Sequence, residues 1–74
     1  MIKKDGSIIK KDFGFNLKKI RNSKGLSLRA MARNCDIDDS NISKIENGKF
    51  DVQLSTIFEL AKGLDIHPKD LLDY

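Results

Sequence analysis

The spacing of apolar residues between positions 28 and 48 constrains the fold more than any other feature of this sequence. Met31, Ala32, Cys35, Ile37, Ile42 and Ile45 are the inward-facing positions of two short helices joined by a tight turn. Ala32 is small where two crossing helices need a close backbone approach. Ser27 is placed to cap the first of these helices, which runs from Leu28 to about Asn34. Asp36 occupies the turn, and aspartate is among the residues that tolerate a left-handed backbone. Asp38 caps the next helix, about ten residues long, and Gly48 stops it because glycine takes a positive φ cheaply. The outward face of that helix carries Asp39, Ser40, Ser43 and Lys44, of which Lys44 is the one long cation.

The flanking segments carry the same helical period. Phe13, Leu17 and Ile20 lie at i, i+4 and i+7 and mark the buried face of a first helix, with Asp12 as its N-cap and Gly25 as its stop. Phe15 falls off that stripe; it either covers a partner or the preceding arm, or stands as a partly exposed filler. Leu54, Ile57, Leu60, Ala61 and Leu64 share one side of a fourth helix, so that side is core or partner contact. Asp65-Ile66-His67-Pro68 makes the next break, and proline at a first helical position predicts a short fifth helix from Pro68 to about Asp73. The expected fold is all-α, a compact bundle of five helices over residues 13–74. A basic, mobile arm over residues 1–12 precedes it, with Ile8 and Ile9 in at most a short extended segment.

Composition limits what such a bundle can do. At 74 residues the chain makes one domain near the lower limit for an unstapled core. A single cysteine, Cys35, excludes an internal disulfide, and with the single His67 it cannot assemble the usual zinc site. Cys35 reads as a small core residue, His67 as a cap or a solvated side chain, and no cofactor or metal is expected. There is no nucleophile–base pairing and no phosphate-cradling glycine loop, so an enzyme is not expected. No apolar run approaches the length of a membrane span and no signal pattern opens the chain; a cytoplasmic setting is expected. Charge is unevenly spread. Residues 1–24 hold eight Lys and Arg against Asp5 and Asp12, whereas residues 25–74 hold six basic and nine acidic side chains. A basic front suits a protein that shows one face to a polyanion, and Lys3, Lys4, Lys10 and Lys11 read either as a DNA-tracking arm or as a solubilising tail.

A short two-faced helix that follows another helix and a tight turn has the layout of a DNA-reading element. The segments NLKKIRNSKGLSLRAMA, IDDSNISKIENGK and LSTIFELAKGLDIHPKDLL resemble the phage-repressor type of helix-turn-helix, the Xre-like or Cro/repressor family with its lambda-repressor-like domain. The likeness runs from about Phe13 to Leu72, and its most specific pieces are Ile20-Arg21, Met31-Ala32, the run Ile42 to Gly48, and Leu60-Ala61 with Leu64.

The resemblance implies a five-helix bundle whose third helix enters the major groove of double-stranded DNA. The family usually binds as a symmetric homodimer on a near-palindromic operator, as a transcriptional regulator of repressor type. The resemblance also implies that Asp39, Ser40 and Lys44, with Ser43 on the same face, meet base edges. Lysine can donate to guanine O6 and N7. Asn47 and Lys49 correspond to phosphate contacts, where exposed amides and a flexible ammonium flank Gly48. Arg21 and Glu46 correspond to an ion pair between the first and third helices. The apolar residues near the C-terminus, Ile66, Leu71, Leu72 and Tyr74, are the expected dimer contact. The sequence departs from the family pattern at Asp36, where glycine is usual, and at Leu28, where a phosphate-binding glutamine is common.

Asp38 and Asp39 place two carboxylates where the third helix would approach a polyanion. Acids in a first turn favour the positive end of the helix dipole, and Asp38 reads as such a cap. Asp39 reads either the same way or as an acceptor from cytosine N4. A second function class stays open at this point, a protein-interaction module such as an antitoxin or accessory factor whose DNA binding is secondary to a protein partner. No segment after the fifth helix is left to bind an inducer, so control is expected from protein concentration, a partner or proteolysis.

Overall fold

The first three helices each begin at a side chain that takes up a backbone N–H with no partner inside the helix. In the computed structural model, which describes residues 5–74, Asp5 accepts from the N–H of Ile8 at 3.0 Å and opens α1, Gly6–Ser23. Ser27 accepts from the N–H of Ala30 at 3.0 Å and opens α2, Leu28–Ala32. Asp38 accepts from the N–H of Asn41 at 3.1 Å and opens α3, Asp39–Glu46. α4 is Leu54–Leu64, and a 3-10 helix, Pro68–Leu72, closes the chain. The bundle thus has four α-helices and a closing 3-10 helix, not five α-helices. The last piece is five residues long and its bonds span three residues, as from the Asp70 N–H to the His67 carbonyl at 3.0 Å.

The start of α1 corrects the expected arm. Gly6 to Asp12 are helical, and Asp12 lies inside the helix rather than at its cap. Ile9, four residues before Phe13, continues the apolar stripe backwards. Asp5 supplies the cap, helped by the Ser7 hydroxyl, which donates to Asp5 Oδ1 at 2.7 Å. The bonds from Ser7 and Ile8 hold the Asp5 carboxyl below its ordinary range. The cap therefore persists until pH falls through that lowered value. Lys3 and Lys4 lie outside the described residues.

The core forms where the faces of these helices meet. Phe13 and Leu17 from α1, Met31 from α2, Ile42 and Ile45 from α3, and Leu60, Ala61 and Leu64 from α4 are buried together with Leu71. Full burial of a Leu, Ile or Met side chain is worth about 1.5–3 kcal/mol, which makes this cluster the main source of stability. Leu71 is fully buried, so it belongs to the core and cannot be a dimer contact. Asn16 explains why: its Nδ2 donates to the Leu71 carbonyl at 2.9 Å and draws the closing helix onto α1. Leu54 departs the other way; it is 72% exposed at the start of α4, with Phe58 exposed one turn on. The turn between α2 and α3 is tied to α4 through the Asp36 N–H, which donates to Glu59 Oε1 at 2.9 Å. Asp36 does not take the left-handed backbone; Gly25, Gly48 and Asp65 do.

α1 grips α3 at two points. A Cβ on Gly14 would run into the Ile45 and Glu46 carbonyls, with the Glu46 carbonyl carbon 2.7 Å away, so the two helices meet at backbone distance. Farther along α1, Arg21 Nε donates to Glu46 Oε2 at 2.6 Å and Nη2 donates to Oε1 at 3.1 Å. Arg21 Nη1 reaches the Leu26 carbonyl at 2.8 Å, which adds the loop before α2 to the same junction. The two side chains are only 9% and 4% exposed, and the bond to Glu46 raises the pKa of the arginine further. The pair expected between the first and third helices is present and buried.

Two outcomes follow for stability. Removing one partner of a buried pair leaves a charge uncompensated, so Glu46→Ala should cost about 3–5 kcal/mol in a denaturant melt. An exposed pair would cost no more than about 1 kcal/mol. Adding Arg21→Met to Glu46→Ala should recover part of the loss, and a parent-like melt of the single variant would contradict the buried role. Gly14→Ala sets two effects against each other. Alanine favours a helix interior by about 1 kcal/mol. Overpacking against backbone that cannot move aside costs about 1–3 kcal/mol or more. The clash should win and lower Tm, by about 4–8 °C per kcal/mol for a domain of this size. A raised Tm would mean the helices do not approach this closely.

Candidate nucleic-acid interface

α3 buries one face and offers the other. Ile42, Ile45 and Glu46 point inward, while Ser40, Asn41 and Lys44 are exposed and Asp39 and Ser43 are half-buried. The four outward residues anticipated from the sequence thus lie along one helix, with Asn41 added to them. Asp38 is committed to the cap, its carboxylate accepting from the Asn41 N–H and, at 3.4 Å, from the Ser40 hydroxyl. Asp39, in the first turn but not the cap, keeps its carboxylate for the helix dipole or a base.

Lys44 does not hang loose. Its Nζ lies 5.8 Å from the centroid of the Phe50 ring, within cation–π range. Such a contact at an exposed site is worth about 0.5–1 kcal/mol, enough to bias the direction of a flexible side chain. Phe50 is not among the residues the sequence pattern marks for this site. The available signal was an aromatic residue in the loop immediately after the helix stop, six residues from the cation it supports.

The turn that ends α3 corrects another expectation. The Asn47 N–H donates to the Ser43 carbonyl at 3.1 Å, Gly48 to Ile45 at 3.0 Å and Lys49 to Lys44 at 2.9 Å. Gly48 makes this possible with a φ of +73°. All three main-chain amides close the helix end, so none is left for a phosphate. Asn47 Nδ2 also donates to the Ser43 carbonyl, at 2.8 Å, which leaves that amide one further hydrogen to offer. Contact with a backbone phosphate from this turn therefore falls to side chains, chiefly the exposed Lys49.

Charge divides along α3. Asp38 and Asp39 stand at its N-terminus, and an open groove of about 670 Å³ beside it is lined in part by Asp36, Asp38 and Asp51 together with Asn41, Ile45 and Phe50. Near its C-terminus stand Lys44, Lys49 and, from α1, Lys11. This order suits the helix dipole, and it gives a polyanion one favourable end to approach. Leu28 is half-buried against the core, consistent with its inability to bond a phosphate. Cys35 is half-buried, and burial raises its thiol pKa, as befits a packing residue. No helix among the described residues is long and apolar enough to cross a membrane.

This arrangement has close parallels. The control protein C.BamHI of Bacillus amyloliquefaciens is 41% identical over 63 residues, spanning 84% of this chain and 78% of that protein. The crystal structure of the restriction-modification controller protein C.AhdI from Aeromonas hydrophila matches with a TM-score of 0.82 at 36% identity, over 86% of this chain and 97% of that one. The controller protein C.Esp1396I, solved as a tetramer in complex with its natural 35-base-pair operator, matches with a TM-score of 0.83 at 25% identity, over 90% of this chain and 88% of that one. A helix-turn-helix family profile matches residues 17–71, from the buried face of α1 to the closing 3-10 helix. The chain belongs to the helix-turn-helix family.

Proposed function

We propose that this protein is a sequence-specific DNA-binding regulator of transcription, of repressor type, that lays α3 in the major groove and works as a two-fold dimer on a near-palindromic operator. The observation that carries this reading is the mounting of α3. Its inner face is clamped to α1 through Gly14 and the Arg21–Glu46 pair, while Ser40, Asn41 and Lys44 are exposed on its outer face. A rigid helix with a polar outer face is what reading base edges needs. Likeness to controller proteins, one of them bound to its operator, supports control of a restriction-modification system as the setting.

In this reading Lys44 donates to guanine, Asp39, Ser40 and Ser43 contact neighbouring base edges, and Lys49 and Asn47 hold phosphates. Dimer contact falls to Leu72 and Tyr74, both exposed, with the half-buried Ile66 at the margin. Leu72 and Tyr74 share a small apolar cleft of about 180 Å³ with Ile9, Phe50 and Ile57. Leu54 and Phe58 are exposed on the helix that carries Ile57, and this reading adds them to the dimer contact.

A good base contact discriminates by about 1–3 kcal/mol at one position. Lys44→Ala should therefore relax preference at one base pair per half-site, measured on single-base variants of the bound site. A phosphate contact is blind to sequence but adds about 0.9 to the slope of log affinity against log salt. Lys49→Ala should weaken binding to all sequences alike and flatten that slope by nearly one unit per half-site. Asp39→Ala separates its two roles: lost preference at a cytosine assigns it to a base, and tighter binding to all DNA assigns it to the helix dipole. Unchanged preference in Lys44→Ala, or no salt-sensitive binding by the parent, would instead favour the protein-interaction module.

For assembly, the protein should sediment as a dimer at high concentration. Leu54→Glu with Phe58→Glu should shift it to monomer at nearly unchanged Tm, since both side chains are exposed. A parent that stays monomeric both free and on a full operator would reject the dimer.

A further inference from the structure

We propose that the second turn of α1 is a further DNA-backbone clamp, in which Lys11 places its ammonium on the phosphate beside the turn that ends α3. The inference rests on the DNA-binding reading above and adds a residue of α1 to the site. Its basis is a contact. A Cβ built on Gly48 would lie 2.9 Å from Lys11 Cγ and 3.2 Å from Lys11 Cα. The stem of Lys11 therefore crosses directly over the Gly48 turn, between the exposed Asn47 and Lys49, and Lys11 is itself exposed. Three bonds beyond that Cγ is the ammonium, which puts it within side-chain reach of the turn that also carries the exposed Lys49.

Two further observations make this placement consequential. The main-chain amides of Asn47, Gly48 and Lys49 are all consumed in closing α3, so the turn has only side-chain cations and one Asn47 hydrogen to offer a phosphate. Lys11 is also held in place, because α1 starts at Gly6 under the Asp5 cap. A lysine on a mobile arm would have to be ordered on binding, whereas a lysine in a capped helix has already lost its backbone freedom. Lys11 acts on Asp5 through space, and that carboxylate already accepts from Ser7 and Ile8.

The test compares the parent, Lys11→Met, Lys11→Arg and Lys19→Met by fluorescence anisotropy on one duplex carrying the bound site, across a salt series. Methionine keeps an apolar stem over Gly48 while removing the charge, arginine keeps the charge, and Lys19 is an exposed cation two turns away on another side of α1. Thermal melts of all four check that the fold is kept. Lys11→Met should flatten the slope of log affinity against log salt by about 0.9 per half-site without altering base preference, and Lys11→Arg should restore it. Lys19→Met should leave the slope at the parent value. A parent-like slope in Lys11→Met, or an equal loss in Lys19→Met, overturns the proposal while leaving the base-reading role of α3 intact. A parent with no salt-dependent binding overturns both.

Discussion

The contact between α1 and α3 is the constraint on which the rest of the molecule depends. Gly14 lets the backbones touch near the end of α3, and the Arg21–Glu46 pair fixes the same end from farther along α1. Because Arg21 also bonds the Leu26 carbonyl, the junction sets where α2 begins. An eight-residue helix has little stability of its own, and isolated helices this short are marginal in water. α3 is helical because its N-terminus is capped by Asp38, its C-terminus is closed at Gly48, and its inner face is clamped. Such an element can present side chains with the small positional error that base recognition requires.

Charge is ordered along the same clamped helix. Carboxylates gather at the N-terminus, where they favour the helix dipole, and cations gather at the C-terminus, where the turn closes. The proposed DNA approach thus calls for the same charge order as the helix dipole. Asp38 illustrates the economy of the arrangement: it is exposed, yet its oxygen is engaged by Asn41 and Ser40. Phe50 does the complementary work for Lys44, steering a cation that would otherwise sample many rotamers.

Much of this was legible in the residues because local chemistry determined it. Ser27 and Asp38 announce helix starts, Gly25 and Gly48 announce helix ends, and the inward spacing from Met31 to Ile45 specifies two helices and a turn. Those signals act within a few residues, and all of them were found in place. What escaped depends on contacts between distant segments. Gly14 matters only because a carbonyl from α3 arrives opposite it. Leu71 packs into the core where Asn16, 55 residues away, bonds its carbonyl. The start of α1 was misplaced because Gly6 and Ser7 resemble loop residues, although Ser7 in fact supports the Asp5 cap. The amides around Gly48 looked available because glycine turns often expose them. Here the turn closes on its own helix.

The central proposal is that α3, mounted in two-fold copies, reads a defined DNA sequence. Selection of binding sites by the purified protein from a pool of random duplexes tests it most directly. The expected result is one enriched near-palindrome, with half-site centres roughly 34–36 Å apart, one helical turn or a multiple of it. Recovery of DNA with no enriched sequence, or of a single half-site without its symmetric partner, would contradict it.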